Sequence, residues 1–254
     1  MGLFDLFGSR EKRSEAALRK QAQRVTQKYG PPENRQKAIA ALADMGTPEA
    51  LATLCLRFTV YAEPSITDDE EKAAVRRHLV DAGAKAVEPV KGFLERQEEG
   101  VAWGLQVLAQ LVPATEVRST VLALLHRLGR EYARDPGKKL TLLGWLSEHH
   151  AEAGPGGAPP AEVEEALLPL LEDFSDDVRI ATVRVLPLAA PGERTRDGLI
   201  ALLLRDRDNA RVRGEVFQAL ANLGADVKGH RPSVEALLVE PYYLDREGRV
   251  KKRA

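Results

Sequence analysis

The chain has 254 residues, 30% of them charged and 5% aromatic, with a formal net charge of −1. That length serves one elongated array or two compact domains with a real core, and a composition rich in Ala, Leu, Arg and Glu but poor in aromatics disfavours β-structure and aromatic-lined pockets. A single cysteine, Cys55, excludes an intrachain disulfide; no stretch is long and apolar enough to span a bilayer, and the start lacks the basic-then-apolar order of a secretory signal, so a cytoplasmic protein is expected.

In chain order, residues 1–9 place Leu3, Phe4, Leu6 and Phe7 on a short amphipathic turn ahead of a basic helix over 10–29. Phe beside Lys and Arg is the combination that holds peripheral helices on anionic lipid, but this turn is too short to hold alone, and docking as an end cap on the first helix pair is the favoured reading. Next comes a repeat. The stretch Arg35-Gln36-Lys37-Ala38-Ile39 through Ala41-Leu42 to Met45-Gly46 lies without a gap on Arg213-Gly214-Glu215-Val216-Phe217 through Ala219-Leu220 to Leu223-Gly224. The same frame fits helices centred on Leu79, Leu108, Leu146 and Leu186, giving intervals of 37, 29, 38, 40 and 34 residues, one helical hairpin each.

Start signals precede the frames, because a carboxylate or small polar side chain satisfies the free amides of a first turn: Asp68 with Asp69, Glu98 with Glu99, Ser175 with Asp176 and Asp177, Asp208 with Asn209. Gly46, Gly83 and Gly224 close three of these helices. Partner helices are expected over 47–58, 84–96, 114–132, 160–173 and 193–205. The Gly/Pro/Ala run 150–160 cannot continue a helix and reads as a flexible joint. It divides a block of about four pairs, 10–149, from one of about two pairs, 161–225, with a short helix and basic tail over 226–254. Residues 59–67 form a second loop, read as a connector with recognition as the alternative. The ends are basic, +5 over residues 1–40 and +2 from Asp226 onward, leaving −8 for the middle.

Asp177-Val178-Arg179 followed by Val185-Leu186, and Arg211-Val212-Arg213 followed by Ala219-Leu220 and Leu223-Gly224, resemble the second helix of HEAT repeats. Pro89 and Pro169 resemble the proline of the first helix. Phe58 to Lys72, with its run from Pro64 to Lys72, and Tyr243 to Val250 are similar to a group of bacterial HEAT-repeat proteins. The resemblance implies an all-α solenoid, a HEAT-like superhelix of about six helix pairs. The third and fourth units depart from the pattern by lacking the closing glycine.

On each second helix, the position three before the leucine is expected inside: Ile39, Arg76, Leu105, Leu143, Val183, Phe217. Seven before gives Arg35, Lys72, Val101, Lys139, Arg179 and Arg213, a basic column bordering the buried face. A nucleic-acid track is one reading of it; the resemblance implies a structural one, each base bonding the adjacent layer. The opposite face, which the resemblance makes concave, carries Lys37, Arg77, Trp103, Gln106, Arg184 and Gln218 among charges of both signs. Trp and Arg anchor interfaces because they bury much area yet keep a polar handle. These six form a candidate protein-binding groove, with simple packing of Trp103 as the alternative.

Chemistry has no comparable constellation. His149 and His150 point about 100° apart on a helix, while His78, His126 and His230 are scattered. No phosphate loop or nucleophile motif is present, and Cys55 falls in an apolar run as a buried thiol. The expectation is a non-enzymatic scaffold or regulatory adaptor for another protein, with no cofactor and no metal. The second reading is nucleic-acid association through basic ends, where Arg246, Arg249, Lys251, Lys252 and Arg253 flank Tyr242 and Tyr243. A HEAT-like lyase or DNA glycosylase comes third, since a mixed-charge face fits duplex wrapping poorly.

Overall fold

The computed structural model describes residues 15–129, 131–149 and 160–253. The fold class is all-α, helix pairs stacked in two layers, in two compact units, Met1–Pro113 and Ala114–Ala254. In the first unit, residues 15–25 form α1. There follow α2 (Pro32–Met45), α3 (Pro48–Cys55) extended by a 3-10 turn Leu56–Thr59, α4 (Ser65–Asp81), α5 (Ala84–Arg96) and α6 (Val101–Leu111). α3 packs on α5 in one layer and α2, α4 and α6 succeed one another in the other. The second unit repeats the plan with α7 (Ala114–Leu128), α8 (Gly137–Glu148), α9 (Pro160–Leu167) with a 3-10 turn Leu168–Glu172, α10 (Asp176–Ala189), α11 (Glu193–Arg205) and α12 (Ala210–Leu223). Here α8, α10 and α12 form one layer, and α7, α9 and α11 the other.

The framing leucines build this core. Leu42, Leu79, Leu108, Leu146, Leu186 and Leu220 are all fully buried, each contributing about 2 kcal/mol by leaving water. Local signals set the ends. The backbone amides of Ala50, Val178 and Val212 donate to the side chains of Thr47, Ser175 and Asn209, and Gly46 and Gly224 turn left-handed at φ 56° and 59° to end α2 and α12.

Three expectations are corrected. The division falls after Pro113 and not at 150–160, because α7 packs on α9 and α8 on α10, so the pairs flanking that run belong to one core. Asp68 and Asp69 do not start a helix: α4 begins at Ser65 and Asp68 is buried in its first turn. The stretch after Asp226 is no mere tail. A short helix α13 (Arg231–Glu235) leads to an antiparallel hairpin, β1 (Tyr242–Leu244) with β2 (Val250–Lys252), pairing Tyr242 with Lys252 and Leu244 with Val250. The amides of Val227 and Val250 donate to the carbonyls of Gly248 and Ala225, Val227, Val234 and Val250 are fully buried, and both strands lie on α12. The hairpin thus covers one side of α12. Leu3, Phe4, Leu6 and Phe7, like residues 150–159, lie outside the described residues.

Candidate functional site

The basic column turns inward. Arg35 Nε donates to Glu71 Oε2 at 2.8 Å, and its Nη1 to the Gln27 carbonyl at 3.3 Å. Lys72 Nζ lies 2.7 Å from Asp68 Oδ2. Lys139 Nζ donates to the Glu131 carbonyl (2.8 Å) and to Asp173 (2.6 Å). Arg179 Nη1 reaches the Asp173 carbonyl at 2.5 Å and its Nε lies 2.8 Å from Asp206; Arg213 Nη1 reaches the Arg207 carbonyl at 2.7 Å. Arg35, Lys139, Arg179 and Arg213 therefore each hold a carbonyl of the loop leading into their own helix, the first three an acid of the next repeat as well, whereas Lys72 bonds Asp68 one turn back on α4.

In the first unit the column meets residues that periodicity missed. Arg57, fully buried, donates to Glu71 (Nε, 2.9 Å), to Asp68 (Nη2, 2.5 Å) and to the Val60 carbonyl (2.8 Å). Asp68 also accepts the Ala62 amide at 2.9 Å. Burial alone would raise the Asp68 carboxyl, but the bonds from Lys72, Arg57 and that amide outweigh it and hold the pKa below its usual value. The 59–67 segment, weighed above as a recognition loop, is thus pinned to a buried ionic cluster.

On the same unit's open face Lys37 and Arg77 are exposed. Trp103 is half-buried, stacked on Phe58 at 5.7 Å and 5°. Arg76 lies 5.9 Å over the indole and donates to Gln106 Oε1 at 3.3 Å. Arg76 was expected inside; it reaches the surface instead, because a guanidinium finds an aromatic face and an amide oxygen there. It is Arg76, not Arg77, that joins Trp103 and Gln106.

In the second unit the structure brings Arg184 and Gln218 together on a cleft of about 180 Å³ between α10 and α12. Val183, Pro187, Leu188 and Ala219 make its apolar lining, and Leu188 is 48% exposed. Arg184 forks onto Glu215, Nε to Oε2 at 3.0 Å with Nη2 on Oε1. That hydrogen bonding lowers the Glu215 pKa and raises that of Arg184. Gln218 Nε2 donates to Asn222 at 2.8 Å, while its Oε1 accepts from Tyr242 Oη (3.1 Å) and Lys252 Nζ (2.9 Å) of the hairpin. Tyr242 stacks on Phe217 at 5.7 Å, and burial followed by the charge of Glu215 raises its hydroxyl pKa.

A second exposed feature escaped the periodic reading. Tyr132 and Phe174 are 72% and 81% exposed and meet edge to face at 5.4 Å. The carbonyl of Glu131 and the carboxylate of Asp173, their immediate predecessors, both receive Lys139 Nζ, so one buried lysine fixes the two loops that carry the rings.

His149 stacks on Trp145 at 4.3 Å and His126 Nε2 lies 3.8 Å from Glu165 Oε1, and among the described residues no group of His, Cys, Asp or Glu side chains is placed to hold a metal ion. Burial pushes the Cys55 thiol up to about 12. No helix of the described residues is long and apolar enough to cross a membrane. Comparison with curated proteins and with solved structures gives no match. Residues 164–254, which span the cleft and the hairpin, match the family of HEAT repeats, so the part of the second unit from within α9 onward is similar to HEAT repeats.

Proposed function

We propose that this chain is a non-enzymatic scaffold or regulatory adaptor that holds another protein on the open face of its second helices, with the α10–α12 cleft at the centre of the contact. The observation that carries this reading is Leu188, a large aliphatic side chain left half in water at a cleft rimmed by Arg184, Glu215 and Gln218. An apolar floor with a polar rim is the anatomy of a protein interface. The Trp103, Arg76 and Gln106 group supports the same use in the first unit. The resemblance to bacterial HEAT-repeat proteins and the lone, buried Cys55 support a bacterial, cytoplasmic setting.

Site-specific photo-crosslinking in the native host tests the proposal. A benzophenone side chain at position 188 is expected to give one discrete protein adduct, absent when the same group stands at the exposed Glu88 of α5. Identical adduct patterns from the two positions, or none from position 188, would overturn it.

A further inference from the structure

The α10–α12 cleft ends at a cation with no carboxylate partner among the described residues. Arg184 is matched by Glu215, and Arg211 by Asp177 at 2.8 Å. Lys252 differs. Its ammonium lies 5.9 Å from the centre of the Tyr242 ring and 2.9 Å from Gln218 Oε1. Both partners are neutral, and among the described residues no carboxylate pairs with it. Gln218 lines the cleft, so Lys252 stands one hydrogen bond away from the wall. It is also fixed in place. Strand pairing puts Lys252 opposite Tyr242, Tyr242 is stacked on Phe217, and Val250, two residues earlier, is fully buried. The hairpin around it, residues 242–253, carries five bases and two acids. One of those bases, Arg253, is turned to Glu240 at 3.3 Å.

An apolar floor with a fixed, unneutralised ammonium at its rim is complementary to one chemistry, an aliphatic or aromatic side chain with a carboxylate close by in the same chain. We propose that the cleft takes an acidic–apolar peptide segment of a partner protein, its apolar side chain against Leu188 and Pro187 and its Asp or Glu on Lys252 Nζ. This rests on the reading of the cleft as a protein-binding site and adds the sign of the partner. Opposite charge at a rim chiefly sets which partners are admitted and how fast they arrive. The Arg184–Glu215 fork, being self-neutralised, leaves that choice to Lys252.

The test is selection of a phage-displayed random-peptide library on three forms of the full chain: unaltered, Lys252→Glu and Leu188→Asp. Far-UV circular dichroism and melting curves check that all three are folded. The unaltered chain is expected to enrich peptides pairing an apolar residue with Asp or Glu. Synthetic copies should bind Lys252→Glu about tenfold more weakly and Lys252→Arg within about threefold. Enrichment without acidic bias, or the same peptides on Lys252→Glu, overturns the charge assignment while leaving the cleft as a site. Undiminished enrichment on Leu188→Asp overturns the cleft itself. No enrichment at all, or a single-stranded oligonucleotide that binds the chain with the same Lys252 dependence and displaces the peptides, overturns the proposal.

Discussion

The buried ionic cluster of the first unit makes a demand that can be measured. Glu71 Oε2 receives Arg35 Nε at 2.8 Å and Arg57 Nε at 2.9 Å, and all three side chains are at most 2% exposed. Replacing Glu71 by Gln keeps the shape and one acceptor oxygen but removes the negative charge between two guanidinium groups that have no water to turn to. Deleting one partner of a buried pair costs about 3–5 kcal/mol, because the remaining charge stays buried and uncompensated. A unit of about one hundred residues loses stability in urea at roughly 1–1.5 kcal/mol per molar, so its midpoint should fall by about 2–5 M. The chain has two tryptophans; in a Trp145→Phe background the signal comes from Trp103, which stacks on Phe58 within the same unit. As a contrast, Arg184→Ala, read from Trp145 of its own unit in a Trp103→Phe background, breaks a fork whose arginine is 62% exposed, and there the expected loss is about 0–1 kcal/mol. A Glu71→Gln loss no larger than that of Arg184→Ala would refute the idea that burial makes this cluster structural.

Asp68 gives the same cluster an acid limb. Its folded pKa is depressed, so its contribution is complete above the unfolded value near 4 and is lost as pH falls through the lower folded value. Urea midpoints measured from pH 6 down to pH 3 should therefore drop more steeply for the unaltered chain than for Asp68→Asn, and parallel curves would contradict the assignment. Cys55, buried with its pKa near 12, should resist a thiol reagent at pH 8 until the first unit is unfolded; labelling within seconds under native conditions would show that the site opens. Gly104→Ala would set a methyl 2.7 Å from Leu94 Cδ2 and 3.2 Å from Phe93 Cδ1 where α5 meets α6. The overpacking, about 1–3 kcal/mol, should exceed the roughly 1 kcal/mol gained in helix propensity, so the melting temperature falls; a rise would mean that those side chains yield freely.

How far the molecule can be read from its sequence depends on the range of the interactions involved. The leucine frame and the bases seven positions before it are legible because a 3.6-residue helix converts spacing directly into a face; Arg35 and Lys139 are fully buried and Arg179 half-buried. What those bases hold is not legible. The carbonyls of Gln27, Glu131, Asp173 and Arg207 sit in interhelical loops of unequal length, and no helical period places them. Asp68 shows the converse error, since a carboxylate near a helix start looks the same in sequence whether it caps the first turn or is drawn inside by an arginine from the previous helix. Trp103 is half-buried because Phe58, brought up by a 3-10 turn, covers one side of the ring, a contact that no helical period announces. The hairpin had a signal that composition masked. Tyr242-Tyr243-Leu244 and Val250-Lys251-Lys252 flank Asp245 and Gly248, a turn pair of which the glycine takes φ 78° and the aspartate accepts the Arg249 amide. Five bases in that stretch suggest a solvated tail, whereas strand pairing instead fixes Lys252 against Gln218. That placement turns a diffuse excess of positive charge into one ammonium held at a fixed point beside the α10–α12 cleft, which is a matter of strand register that a charge count cannot carry.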